Sequence, residues 1–396
     1  MSDSHIMHPV LSDSLYIAQG IDALPASSAF RIFKPETNIH YSPLCDDFGP
    51  MNLQCVAEFI VQLDRELSGF PDSRIFCCVE DGKRNLTNAV FLLGSYLLLR
   101  LEYMVEEVEE CFCWLGSDQF EEYRDATFTS PTFRLSLGDC WRALDKAKAL
   151  GWVGCPDDDG FCGDVDMEEY AHYDNPLNGD LHEVVPGKLI AFVGPEDLGD
   201  QEFLDEANGR RRFSPGFFAT EFLERDVSAV VRLNEAQYDG RAFSDRGIAF
   251  VDLPFEDCTA PPARIADAFL AAVAAAPGAV AVHCKAGLGR TGTLIALYLM
   301  LHEGFAAREA MGWLRIMRPG SVIAEQQQYL CEVERRGLTP PGATGASQAG
   351  FEEEGKGDAE TGAETRRRRA AEAAADVWAG RERRGAVQSR RFASAA

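Results

Sequence analysis

Residues 281–293 read Ala-Val-His-Cys-Lys-Ala-Gly-Leu-Gly-Arg-Thr-Gly-Thr. An apolar run, Ala279 to His283, predicts a buried strand, and the segment from Thr291 to His302 predicts a helix. Between them lies a glycine-rich loop that opens with Cys284 and reaches Arg290 six residues later. A loop of that length can wrap one phosphate, with its backbone N–H groups turned inward as an anion nest. Gly287 and Gly289 permit the backbone angles and the close approach that this needs. The following helix directs the positive end of its dipole at the same point.

His283, Lys285, Ala286, Gly287, Leu288 and Gly289 are thus the expected phosphate cradle, with Cys284 as nucleophile. A free thiol titrates near about 8.5, and a helix N-terminus with nearby cations can lower this to roughly 3.5–7.5, so a thiolate is expected. Arg290 can grip two phosphate oxygens as a fork and follow the charge into the transition state. The chemistry implied is a pair of in-line phosphoryl transfers, first onto Cys284 and then to water. The Thr291 hydroxyl is expected to hydrogen-bond the sulfur and ease its departure. A buried cysteine before an ordinary strand–helix turn would account for a lone Cys-x5-Arg. It would not account for the preceding His283, both glycines and the Thr-Gly that follows.

The first transfer expels an alkoxide or phenolate, so a general acid should help, typically by about 10²–10⁴-fold. Asp257 is the best-placed candidate, in a loop after the strand predicted over Ile248 to Leu253. Glu256 beside it and Asp252 nearby compete for the role.

Working outward, amphipathic helices and β-branched strands alternate through the chain, the signature of an α/β protein. The first half predicts helices over 51–67, 85–102 and 135–150 and a strand over 74–79. The second predicts strands over 188–193, 227–233 and 248–253, and helices over 262–275, 306–318 and 324–336. Between the halves, the acidic, aromatic segment 164–179 contains Asn-Pro and Asn-Gly steps that mark turns, and reads as an interdomain linker. After Leu338 the composition turns to Pro, Gly, Ala, Glu and Arg, too poor in apolar residues to build a core, so 339–396 reads as a disordered tail. The run Arg366 to Arg369 within it suits a nuclear localisation signal. The expected organisation is a first domain over 1–163, the linker, and a catalytic domain over 180–338.

Composition narrows the setting. Of 396 residues, 46% are hydrophobic and 26% charged, the balance of a globular protein. The most apolar stretch, Ala89 to Leu99, is broken by Gly94 and Ser95 and is too short to span a bilayer. The polar start of the chain lacks the order of a secretory signal, which places the protein inside the cell. The 12 cysteines lack the paired spacing of a zinc site, so no metal or cofactor is implied, and reduced thiols are expected. A formal net charge of −25 disfavours nucleic acid and attracts basic partners.

His-Cys-Lys-Ala-Gly-Leu-Gly-Arg-Thr-Gly-Thr-Leu resembles the phosphate loop of the cell-division-cycle dual-specificity phosphatases, the Cdc-fourteen family, which reverses proline-directed kinase phosphorylation late in mitosis. Asp47-Phe48-Gly49-Pro50, Arg124-Asp125-Ala126, Glu169-Tyr170 with His172-Tyr173, Val185-Pro186-Gly187-Lys188, Val231-Arg232-Leu233-Asn234 and Arg318-Pro319-Gly320-Ser321-Val322-Ile323 are similar to that family as well. The likeness covers about residues 14 to 338. It implies two tandem dual-specificity-phosphatase domains, each a central sheet flanked by helices, with only the second catalytic. It places the catalytic acid on Asp257 and sets Gln326 and Gln327 where the hydrolytic water is oriented. The implied substrates are phosphoserine, and less readily phosphothreonine, followed by proline and with a basic residue three positions on. Glu169, Asp174 and Asp125 match an acidic groove that would read that base, whereas Ala171, Pro254 and Cys258 depart from the family pattern.

Cys78, six residues before Arg84, repeats the spacing between a strand and a helix. Glu80 and Asp81 would repel a phosphate and no hydroxyl follows the arginine, so this reads as a decayed copy. A phosphoinositide phosphatase is disfavoured because related lipid phosphatases carry a lysine where this loop has Leu288, and because an acidic surface avoids anionic membranes. A phosphotyrosine-selective enzyme fits less well than one whose apolar cleft takes a Ser-Pro segment. A phosphoprotein-binding pseudoenzyme would lack the cysteine, arginine or acid, and all three are present.

Overall fold

Strands whose side chains are buried on both faces need helices on both sides, and the chain solves this twice. A computed structural model describes residues 6–12, 14–20, 29–35, 39–154, 156–157, 160–161 and 163–337. They divide into two units. One takes the chain up to Ser42, Phe48–Tyr123 and Arg134–Met167; the other takes Pro43–Asp47, Arg124–Phe133 and everything described from Glu168 on.

The first unit holds a sheet of β1 (Ile6–Leu11), β2 (Leu15–Gln19), β3 (Phe30–Phe33) and β4 (Arg74–Val79) in the order β1-β2-β4-β3, parallel except for the β1–β2 pair. Its helices are α1 (Leu53–Gly69), α2 (Lys83–Arg100), α3 (Val105–Cys111) and α4 (Leu137–Ala149). The Asn52 side chain starts α1 by accepting from the Cys55 amide at 2.9 Å, and Ser136 with Asp139 forms a capping box on α4. Gly94 interrupts the apolar run of α2 because a side chain there would run into the Trp141 indole of α4. Two-residue strands β5 (Pro156–Asp157) and β6 (Gly160–Phe161) pair near the end of this unit.

The second unit contains α5 (Met167–Asp174), β7 (Leu181–Val185), β8 (Leu189–Phe192), β9 (Phe203–Asp205), β10 (Arg211–Phe213), α6 (Pro215–Glu224), β11 (Val227–Arg232), α7 (Arg241–Ser244), β12 (Ala249–Asp252), α8 (Ala263–Ala275), β13 (Ala279–His283), α9 (Gly289–His302), α10 (Ala307–Met317) and α11 (Gln326–Arg335). Its main sheet runs β12-β11-β13-β8-β7, parallel but for β7, with β9 and β10 as a separate hairpin. β13 is central and every residue in it is buried. One face packs Phe192, Phe218, Phe222 and Phe243 into a continuous aromatic core. Ligand sites in such sheets lie beyond the carboxyl ends of the strands, and Cys284 follows the last residue of β13.

Three expectations need correcting. The segment read as a linker contains α5, and Tyr170 and Tyr173 on it are buried, with the Tyr170 hydroxyl donating to the Met317 carbonyl at 2.8 Å. Turn signals just after it, at 175–176 and 178–179, masked a helix that packs through its aromatics. The units also do not follow a single cut near residue 163: two short segments of the first half, 43–47 and 124–133, belong with the second unit. Finally, α9 begins at Gly289, two residues before Thr291, because the arginine and both its neighbours already occupy the first helical turn. The tail from Leu338, including Arg366–Arg369, lies outside the described residues.

Candidate active site

The loop from Cys284 to Arg290 turns from the end of β13 into the start of α9. Cys284 is 2% exposed, and Ala286, Gly287, Leu288, Gly289 and Arg290 are buried, whereas Lys285 faces solvent. Gly287 has φ +67°, and a side chain there would collide with the Phe192 carbonyl of β8, so the cradle needs glycine on two counts. No side chain caps α9. Its first amides are therefore left for whatever anion the loop holds.

Arg318 braces the loop from behind. Its buried guanidinium donates from Nε to the Gly287 carbonyl at 2.8 Å and from Nη2 to the Ala286 carbonyl at 3.3 Å. In a planar trans peptide the C=O and the next N–H point opposite ways, so drawing these carbonyls outward aims the Gly287 and Leu288 amides into the cradle.

His283 fixes the other end. Its Nδ1 lies 2.9 Å from the Cys284 carbonyl and its Nε2 2.6 Å from the Tyr238 hydroxyl. Burial pushes the His283 imidazole down to about 3, so it is neutral at physiological pH. Burial also raises the Tyr238 phenol well above its ordinary value. The tautomer follows: Tyr238 donates to Nε2, and Nδ1–H donates to the carbonyl of Cys284.

Arg290 is held by carbonyl oxygens, its Nη1 donating to Phe255 at 2.9 Å and to Leu233 at 3.3 Å. Its Nε lies 3.1 Å from Asp257 Oδ1 without the alignment of a hydrogen bond. Of the three carboxylates that the sequence offered, only Asp257 meets this arginine. Asp252 is clamped by the Arg232 guanidinium at 2.6 and 2.9 Å, and Glu256 is exposed. Cys258, next to the acid, is fully buried among Leu44, Ala126, Ala286, Leu288 and Ile323, and takes φ +59°, which pins the loop that carries Asp257.

The remaining expected residues divide. Gln326 reaches the loop: its carbonyl lies where a side chain on Gly289 would meet it at 3.0 Å, and its amide donates to the Thr259 carbonyl of the acid loop at 3.3 Å. Gln327 turns away, accepting from Arg315 at 2.8 Å and donating to Ala324 at 3.1 Å. Thr291 is buried and its hydroxyl has no hydrogen-bond partner, so the expected bond to the sulfur is not made. Glu169 is paired with Arg225 at 2.5 Å, and Asp174 accepts from His182 at 3.1 Å. Asp125 is 4% exposed and accepts from the Ala324 amide at 2.9 Å. Each of these groove acids thus has a partner within the protein.

The sequence reading assigned no role to Arg318, His182 or Tyr238. A signal existed for the first: Arg315 and Arg318 lie three apart on the apolar face that Met311 and Leu314 also mark, where an arginine needs buried acceptors. At the decayed copy, burial raises the Cys78 thiol, Arg84 pairs with Glu121 at 3.0 Å, and Gln19 donates to the Glu80 and Gly82 carbonyls at 2.8 and 3.0 Å. That loop presents carbonyls filled by a glutamine, not inward amides. Among the described residues no cluster of side chains could hold a metal ion, and no helix is long and apolar enough to cross a membrane.

Both halves of the chain are similar to known proteins. Residues 9–147 match the family model described as dual specificity protein phosphatase, N-terminal half, and residues 219–330 match that of a Swiss Army Knife protein, DSP-PTPase phosphatase domain. The chain is 34% identical over 322 residues to the dual specificity protein phosphatase CDC14C of Homo sapiens, covering 81% of this chain and 69% of that protein. It is 35% identical to CDC14C of Symphalangus syndactylus, covering 81% of this chain and 64% of that one. It is 38% identical over 307 residues to the tyrosine-protein phosphatase cdc-14 of Caenorhabditis elegans, covering 75% of this chain and 41% of the relative. The chain therefore spans less than two thirds of the length of these last two relatives.

Proposed function

Because the chain belongs to the CDC14 family of dual-specificity phosphatases, we propose that it hydrolyses phosphoserine and phosphothreonine esters in proteins through a cysteinyl-phosphate intermediate. The observation that carries the reading is the conjunction of a buried Cys284, an uncapped helix start and Arg290 with Asp257 at 3.1 Å, all around one loop.

In the first step the Cys284 thiolate attacks phosphorus, the ester bond breaks, and the leaving oxygen takes the proton of Asp257. In the second, water attacks the phosphocysteine, Asp257 accepts its proton, and the sulfur leaves as thiolate. Loop amides and Arg290 hold the equatorial oxygens throughout, the electrostatic part of the catalysis. Gln326, between the phosphate loop and the acid loop, is the residue to orient the water.

The finer reading is a preference for Ser-Pro sites with a downstream base, which would oppose cyclin-dependent kinases in cell-cycle control. It rests on the family resemblance of the phosphate loop and its flanking motifs. The test is a kinetic comparison of a phosphoserine-proline-x-lysine-type peptide, base three positions on, with a phosphotyrosine peptide and a soluble phosphoinositide. Turnover of the first should exceed that of the others at least about tenfold, a difference of 1.4 kcal/mol in the transition state. Equal or preferred phosphoinositide turnover would overturn the assignment.

A further inference from the structure

Resting on the phosphatase reading, we propose that His182, anchored by Asp174, is a positioning residue for the phosphate loop, acting through Arg318. Arg318 turns Nη1 toward Asp180 Oδ1 and His182 Nδ1, each at 2.8 Å, while its other nitrogens hold the loop carbonyls. A guanidinium can only donate, so His182 Nδ1 must present a lone pair. The proton is then on Nε2, which donates to Asp174 Oδ1 at 3.1 Å.

Asp174, His182, Arg318 and the carbonyls of Ala286 and Gly287 thus form one directed chain of hydrogen bonds. Its geometry is over-determined: Arg318 and His182 are 2% and 3% exposed. The Tyr170 ring lies 5.0 Å from the imidazole, and its hydroxyl grips Met317, the residue before Arg318. Asp174 and Tyr170 both belong to α5, so this helix, which the sequence presents as a linker, supports the cradle from behind. Leu288 of the loop lines the same surface pocket as Asp174, Asp180, His182 and Arg318.

This assigns Asp174 differently from the groove that the family resemblance implies. A groove carboxylate matters only to a substrate carrying a basic residue. A residue that orients the loop matters to every phosphate the loop binds, whatever is attached.

The experiment uses two substrates, para-nitrophenyl phosphate and the phosphoserine-proline peptide with its distal lysine, and three variants of the full chain. His182→Asn cannot bridge both partners, Asp174→Ala removes the anchor, and Asp174→Asn keeps an acceptor oxygen without the charge. The first two should lower kcat/KM on both substrates by a similar factor, roughly ten- to a hundredfold. Asp174→Asn should restore most of that loss. In a Cys284→Ser background, calorimetry should show weaker binding of inorganic phosphate for His182→Asn and Asp174→Ala alike. That arm needs no turnover, so it separates failure of this inference from failure of the phosphatase reading.

Wild-type phosphate affinity in both variants would overturn the proposal. So would an Asp174→Ala defect confined to the peptide, which would return Asp174 to the groove. If His182→Asn does not fold, Asp174→Ala, at the less buried end of the chain of bonds, decides alone.

Discussion

Arg290 Nε and Asp257 Oδ1 lie 3.1 Å apart, the arginine fully enclosed and the carboxylate one-third exposed. The two groups proposed for the most different tasks, an anion clamp and a proton donor, therefore face each other in the site. Because the contact lacks hydrogen-bond alignment, a phosphate can take the Nε edge of the guanidinium without breaking a well-formed bond to Asp257, while Nη1 keeps its carbonyl partners.

Cys284→Ser should abolish turnover while retaining affinity for phosphopeptide, because the cradle of amides remains. Cys78→Ser should leave turnover unchanged, since burial holds that thiol protonated and Arg84 is paired. Rates measured on both variants decide it: residual turnover in Cys284→Ser that disappears in the double variant would move the nucleophile to Cys78.

Asp257→Asn should slow substrates in proportion to the basicity of their leaving group, by about 10²–10³-fold for an alkyl phosphate and far less for para-nitrophenyl phosphate. The slope of log rate against leaving-group pKa is the readout. A uniform decrease would strip Asp257 of the acid's role and point to loss of the Arg290 contact instead.

Gly287→Ala should cost at least roughly a hundredfold in kcat/KM, since the loop must leave φ +67° and back away from the Phe192 carbonyl. Circular dichroism should show the fold retained, because the change is confined to the loop between β13 and α9. Wild-type activity in this variant would mean that the cradle is not used in the conformation seen.

His283 makes stability depend on pH. Its folded pKa is lowered by burial from 6.5 to about 3, so between these values the unfolded chain binds a proton that the folded chain excludes. The contribution is fully present above about 6.5 and is lost as pH falls toward 3, with a slope approaching one proton, about 1.4 kcal/mol per pH unit. Urea titrations from pH 7 to 4 should show a shallower loss for His283→Asn, which keeps a donor for the Cys284 carbonyl. Parallel curves would mean that His283 is solvated in solution.

Most of the candidate site was legible because it is local. Cys284, the glycines, Arg290 and the helix after them are contiguous, and their spacing alone encodes a turn that can hold one anion. The central strand was legible for the same reason, as an unbroken apolar run over 279–283. Less visible were elements whose signal is weak or mixed: the short strand β3, the acidic helix α3 and the aromatic helix α5 are too brief or too polar to show a period.

Which carboxylate meets Arg290 was not decided by neighbourhood in the chain. Asp252, Glu256 and Asp257 are chemically equivalent in sequence, and residue chemistry left them open until the family resemblance favoured Asp257. The structure separates them by the partners each meets, Arg232, solvent and Arg290. Likewise, Arg318, His182 and Asp174 are scattered over about 145 residues of sequence, and only the packing of α5 and α10 around the loop brings them into line. A cradle can be written into seven consecutive residues, since backbone geometry there depends on each residue's own allowed angles. The direction its amides face depends on where the opposite carbonyls find donors, and those come from wherever the fold delivers them.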